Sequence, residues 1–253
     1  MGALNGAIPV REIAQALDIE EIRQVSPKGF EAVLVTGPER DVGGILVNAS
    51  SPARRQKFSI GHELGHFLNP WHRPLDADGG FACRVEDIWG SWRSPSRELQ
   101  RHLAQEREAN RFAIELLAPR KCFRPFLAGI PDLSVVLRLA NQLDLRKEAC
   151  ARRYVELHEQ PTALVFSQNS LVRYVERTDE FPFVNCRPKD RPPPVPPSED
   201  HDGLSAHFEA DPRDWIARPR HNSLVVQTLS QNAGYAITLL ALDLSQADDD
   251  GEI

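Results

Sequence analysis

The chain has 253 residues, enough for one large domain or two modest ones, and its 41% hydrophobic and 26% charged residues give the balance of a soluble globular protein. No run approaches the roughly 20 consecutive apolar residues of a membrane-spanning helix, and the N-terminal MGALNGAIPVREI reaches charge too early for a secretory signal, so no membrane is expected and the expected compartment is the cytoplasm. A net charge of −6 with neutral histidines repels a phosphate backbone, and the basic stretches at residues 146–153 and 213–220 are interleaved with acidic or apolar residues, so direct DNA binding is not favoured.

Apolar Val10, Ile13, Ala14 and Leu17 at helical spacing predict a first helix over residues 10–17. EAVLVT at 31–36 and GGILVN at 43–48 read as two strands, with the charged GPERD as the turn between them. A helix over 51–68 is stopped by Pro70. Residues 70–95 are rich in glycine, tryptophan and proline without a period, which suggests an ordered loop or lid. A second strong helix covers 97–117 and ends before Pro119. From Pro131 a helical pair, DLSVVLRLANQLDL and RKEACARRYVELHE, breaks near Asp144; such pairs can read DNA but more often pack as a helical hairpin.

After Pro161 the pattern changes to strands. ALVFSQNSLVRYVER turns at QNS between two apolar runs, and SLVVQTLSQNAGYAITLLALDL repeats the arrangement at QNAG. The proline-rich RPPPVPPSEDHDG between them cannot form regular structure, and ADDDGEI reads as a frayed acidic tail. Cys83, Cys122, Cys150 and Cys186 lie far apart with no CxxC pair, so they read as packed small side chains rather than a zinc knuckle or a disulfide framework.

The chemistry concentrates in FSIGHELGHFLNPWH, residues 58–72. His62 and His66 are four apart, which on a helix brings two imidazoles to one face, about 6 Å apart and able to share a cation. Glu63 follows the first histidine directly, where a carboxylate can act on water as a general base instead of coordinating. Gly65, in mid-helix, costs about 1 kcal/mol relative to alanine and so implies close packing. Two histidines leave such a site short of a third protein ligand.

His72 is one candidate: it reproduces the HExxHxxGxxH spacing with Asn69 in place of the glycine, but the methionine turn that accompanies that motif has no counterpart, the only methionine being Met1. Glu106 is the other. It extends the apolar stripe Ala109, Phe112, Ala113, Leu116 and Leu117 of its helix, where a carboxylate needs a cation or a partner, while Glu108 falls on a solvated face. Helix face therefore favours Glu106 as third ligand, and Asn110, one turn on, could accept the second N–H of a ligand histidine. Cys83 either packs or approaches the metal as a blocking thiolate.

KFSIGHELGHFL followed by EREANRFAIELLAP resembles the ImmA/IrrE family of zinc metallopeptidases, in which HELGH on one helix is followed by E..AN.FA.ELL.P on the next. The resemblance implies an α+β fold: a zincin-like metallopeptidase domain over 1–128, a helix-turn-helix-like segment over 129–160, and a strand-rich α+β region over 161–253 with its proline-rich connection at 187–200. It implies zinc held by His62, His66 and Glu106, with Glu63 as the catalytic base; a site of two histidines and a glutamate also accepts manganese in place of zinc. In zincins an edge strand above the metal holds extended substrate by strand addition, and Gly44, Ile45, Leu46 and Val47 are assigned to that role.

The family further implies a regulatory endopeptidase that cuts a helix-turn-helix repressor, relieving repression of stress-response or mobile-element genes. Two other readings stand beside it. One is a non-catalytic metal-containing regulator that acts by binding protein or DNA. The other makes the C-terminal region a small-ligand sensor or a docking module.

Overall fold

The computed structural model describes residues 6–26, 29–37, 39–73, 97–198, 201–219 and 223–242, and residues 80–83 by their backbone course. The fold is mixed α+β, and the chain divides into two compact units, Met1–Pro119 and Arg120–Ile253. The sequence placed its first boundary at 128 and a second at 160; the helical pair and the later strands fall in one unit.

The first unit opens with α1 (Val10–Ala16), after which Asp18, with φ +65°, turns the chain straight into β1 (Ile19–Val25). β2 (Ala32–Thr36) and β3 (Gly43–Asn48) follow as an antiparallel pair, then α2 (Ala53–Leu68), β4 (Gly80–Cys83) and α3 (Arg97–Leu117). The sheet order is β1-β3-β2-β4, with β1 parallel to β3 and β4 antiparallel to β2. Alternation sets its faces: Ala32, Leu34, Ile45 and Val47 are fully buried, while Val33 and Leu46 between them are not.

β1 corrects the reading of Gly44, Ile45, Leu46 and Val47 as an edge strand. Gly44 lies opposite Glu21 on one side and Val35 on the other, Leu46 lies between Arg23 and Val33, and the other two are paired in the same way. With both backbone edges used, β3 is an interior strand with no vacancy for a substrate strand. IEEIRQV hides its strand character because only Ile19 is fully buried and its two isoleucines, three apart, have helical spacing. Among the described residues the outer strands are β1 and β4.

Helix α2 is almost wholly buried from Ser59 to Phe67, because it packs on β2 and β3 with one side and on α3 with another. Its glycines make that possible. A Cβ at Gly65 would stand 3.1 Å from Phe112 Cβ and 3.2 Å from Ala109 Cα, and one at Gly61 would stand 3.4 Å from Ala113 Cβ. Facing glycine and alanine let the two backbones approach, and the site described below depends on that approach.

The second unit is built on a five-stranded antiparallel sheet in the order β6-β5-β9-β8-β7. Hairpin β5 (Thr162–Gln168) and β6 (Leu171–Arg177) turns at Asn169 and Ser170, both with positive φ; hairpin β8 (Leu224–Ser230) and β9 (Tyr235–Leu242) turns through a short 3-10 segment, Asn232–Gly234. β7 (Phe208–Ala210) and the short α7 (Pro212–Trp215) are missing from the sequence reading, being too short to establish a period. Trp215, Ile216, Phe181 and Cys186 join Val226 and Leu240 in the core of this unit.

Between Pro119 and the sheet lie α4 (Arg120–Phe123), a 3-10 turn at Arg124–Phe126, α5 (Leu133–Gln142) and α6 (Lys147–Leu157). Asp132 caps α5 by accepting from Ser134 N at 2.7 Å, and Gln227 of β8 accepts from Leu133 N at 2.6 Å, which ties the helix to the sheet. Helix α6 packs on α5, β5 and β6, burying Cys150, Ala151, Arg153, Tyr154, Val155 and Leu157. Among the described residues no helix is long and apolar enough to cross a membrane, and Cys122, Cys150 and Cys186 are in no disulfide.

Candidate metal centre

Helix α2 carries His62 and His66 one turn apart, and α3 crosses beside it at Gly65 with Glu106 aimed at the same point. His62 Nε2 and His66 Nε2 are 3.0 Å apart. Glu106 Oε2 lies 3.1 Å from His62 Nε2, and Glu106 Oε1 lies 3.1 Å from His66 Nε2. A tetrahedral ion holding ligands at about 2.05 Å spaces them about 3.3 Å apart, so this triangle of two nitrogens and a carboxylate closes to within a few tenths of an ångström of a metal's own geometry. The group could hold a metal ion.

The protonation pattern suits a cation. Burial first, and then the charges of His62 and His72, push the His66 imidazole down to about 4 against the pull of Glu106. His66 is therefore neutral near pH 7 and its Nε2 lone pair is available. Burial alone would raise Glu106, but hydrogen bonds from His62 and His66 and their charges hold it far below the usual carboxylate range. The triangle thus offers a neutral imidazole at His66 and an anion at Glu106, with His62 Nε2 beside them.

Glu63 is fully buried, and neither carboxylate oxygen has a complete hydrogen bond. Burial, the largest effect, raises it to about 8, with Glu106 adding to the rise and His62 and the Leu34 backbone opposing it. A carboxylate left this way is costly unless a water or a positive charge comes to it. That buried carboxyl beside the donor triangle is a second group that a cation in the triangle would stabilise.

Each ligand histidine has a partner on its other nitrogen. Asn110 Oδ1 lies 3.0 Å from His62 Nδ1 and can accept its proton. His66 Nδ1 lies 2.9 Å from His72 Nδ1, with the two rings edge to face. His72 therefore stands behind His66 on the side away from the triangle, which removes it as a third ligand. Its own Nε2 lies 3.0 Å from Glu108 Oε2. Glu108 is indeed exposed, at 62% of its side chain, but its placement on a mostly solvated face gives no hint of this contact.

Arg40 is the other residue the sequence reading passes over. It sits in the β2–β3 turn with φ +56°, and its Nη1 donates to His66 O at 2.8 Å and Asn69 O at 2.6 Å while Nη2 donates to His72 O. These carbonyls belong to the end of α2 and the segment after it, where acceptors have no helical donor. Arg73 N adds a tie to Gln105 Oε1 of α3 at 2.9 Å, so residues 69–73 are strapped to both neighbours. An arginine inside a charged turn gives no sequence signal for such a role. The side chain of Cys83, and most of the expected loop or lid at 70–95, lie outside the described residues.

No family model matches the chain, and no curated protein matches it. A solved structure described as a Mycobacterium tuberculosis transcriptional regulator is similar over 94% of this chain and 70% of its own, with a TM-score of 0.50 and 14% sequence identity. A likeness at that identity is one of fold alone.

Proposed function

We propose that the first unit is a zinc-dependent endopeptidase of the ImmA/IrrE type with a zincin-like arrangement, and that it cleaves a helix-turn-helix repressor in the cytoplasm, relieving repression of stress-response or mobile-element genes. The observation that carries the reading is the coincidence of the His62, His66 and Glu106 donors with a buried, unsatisfied Glu63 on the residue next to the first of them. A purely structural metal site gains nothing from a fourth, unligated carboxylate.

A divalent cation at these residues supplies Lewis-acid polarisation and makes water acidic enough to lose its proton near neutral pH. His62 and His66 would hold it through Nε2, and Glu106 would supply the balancing charge. Without a cation, burial holds the Glu63 carboxyl at about 8; a positive charge beside it would favour the ionised form, in which Glu63 would accept the proton of the attacking water at a carboxylate oxygen and pass it to the departing amine nitrogen as the peptide bond breaks. Zinc is the preferred occupant for a two-histidine, one-carboxylate set, with manganese the alternative.

Strand addition by substrate, if used, falls on β4 rather than β3. β4 pairs with β2, whose Leu34 backbone approaches Glu63, and it is an outer strand among the described residues. The helical pair fits a packed hairpin better than a DNA reader: α6 leaves Ala149, Arg152 and Glu156 exposed, and Arg152 is already paired with Glu148 and Glu176.

The second reading is a non-catalytic metal-containing regulator, and the solved structure similar in fold, at 14% identity, is itself a transcriptional regulator. One experiment separates the two. A helix-turn-helix repressor encoded beside the gene is incubated with metal-loaded protein, with chelated protein, and with chelated protein given zinc again. The endopeptidase reading expects a single cut that disappears on chelation and returns with zinc. A repressor that is bound but never cut would favour the regulator.

A further inference from the structure

We propose that His72 and Glu108 are positioning residues that fix the tautomer and orientation of His66 and so set how tightly the centre holds its cation. The inference rests on the metal-site part of the preceding proposal and is independent of peptidase activity.

The tautomers follow from the chain of contacts. Two groups face His72 Nε2, Glu108 Oε2 at 3.0 Å and the Asn69 Nδ2 amide at 2.9 Å; the amide also reaches that carboxylate oxygen, which can take its proton, and the carboxylate as acceptor then calls for the His72 proton on Nε2. His72 Nδ1 is then a lone pair. Only one of two nitrogens 2.9 Å apart can carry the proton between them, so it sits on His66 Nδ1. The His66 lone pair is left on Nε2, the atom that faces His62 and Glu106. Reversing any member of this relay would turn an N–H toward the cation.

The relay is also held rigidly. His72 is only 1% exposed, its N donates to Asn69 O at 3.1 Å, and Arg40 Nη2 donates to its carbonyl. Asn69 Nδ2 donates to the same Glu108 oxygen at 3.1 Å. Residues two apart on a helix point roughly 200° apart, so Glu106 and Glu108 reach different targets: one meets the donor side of His66, the other the back of its partner. His62 has a one-step support in Asn110, whereas His66 has this two-step one.

The test is zinc affinity, by competition with a chelating indicator, for the native chain, Glu108→Ala, Glu108→Gln and His72→Ala, with the unfolding midpoint of each metal-free protein measured alongside. Removing an outer partner of a ligand histidine weakens metal binding about 10–100-fold. We expect Glu108→Ala to bind zinc at least about tenfold more weakly with an unchanged metal-free midpoint, since its side chain is 62% exposed, and Glu108→Gln, which keeps an acceptor oxygen, to recover most of the loss. Imidazole 15N spectra of the metal-free protein should place the His66 proton on Nδ1 in the native chain and on a mixture of nitrogens in His72→Ala. Native protein that binds zinc while Glu108→Ala and His72→Ala bind it within about twofold as well would overturn the positioning role alone. A native chain that binds no zinc would sink this inference and the metal-site reading together.

Discussion

His62 and His66 are the same residue type, one turn apart, yet they depend on different neighbours, and single substitutions should separate their roles. His66→Ala or Glu106→Ala leaves two donors of three, and elemental analysis after gel filtration should find the variant free of metal while the native chain retains it. Asn110→Ala removes only the acceptor 3.0 Å from His62 Nδ1, so zinc affinity should fall about 10–100-fold without being lost. An Asn110→Ala protein that binds as tightly as the native one would mean that the His62 tautomer is set elsewhere.

The ligand set is legible in sequence because local geometry dictates most of it. Helical spacing alone brings His62 and His66 to one face, and the apolar stripe of α3 turns Glu106 inward. Glu108 and Arg40 are illegible for the opposite reason: each acts through a tertiary contact that a solvated position does not preclude. A side chain can be 62% exposed and still hold a buried histidine with one oxygen. Arg40 reads as part of a charged turn until the end of α2 is seen to lie within its reach.

At the scale of elements the centre exists because α2 and α3 come close at Gly65. Gly65→Leu would drive side-chain atoms into Ala109 and Phe112, at a cost of about 3 kcal/mol or more, and should lower the unfolding midpoint and abolish zinc retention together. Retained zinc in that variant would mean that the helix approach is not what assembles the site. In the second unit Gly203 makes a separate demand: φ is +79° and a Cβ would meet Ser230 O at 2.3 Å. Gly203→Ala should therefore destabilise that unit by about 2 kcal/mol or more in urea, with zinc affinity unchanged.

The long elements announce themselves through periodicity: α2, α3, α6 and both C-terminal hairpins fall within a residue or two of where the sequence puts them, and α5 stops three residues short. The misses have a common cause. β1 is half solvent-facing, β4 and β7 are four and three residues long, and none carries enough apolar alternation to be read alone. Missing β1 had a consequence beyond the count of strands, since it made the interior strand β3 look like an edge.

At the scale of the molecule, net charge and the packing of α6 bear on partners. With −6 overall and Arg152 held by Glu148 and Glu176, few cations remain on α6 for phosphates. Fluorescence anisotropy with duplex DNA at about 150 mM salt should find no binding tighter than the non-specific range of about 10⁻⁴–10⁻⁶ M. Nanomolar binding with a steep negative salt slope would instead move the function toward a DNA-reading regulator.

The division into two units leaves the chemistry within the first, since the donor triangle, Glu63 and the His72 relay all lie before Pro119. The decisive measurement is the rate of repressor cleavage by the native chain and by Glu63→Gln, compared at equal bound zinc as determined by mass spectrometry. The account predicts equal metal content and a rate lower by about 10²–10⁴ in the variant, because only the proton acceptor has been removed. Cleavage at the native rate by zinc-loaded Glu63→Gln would contradict it.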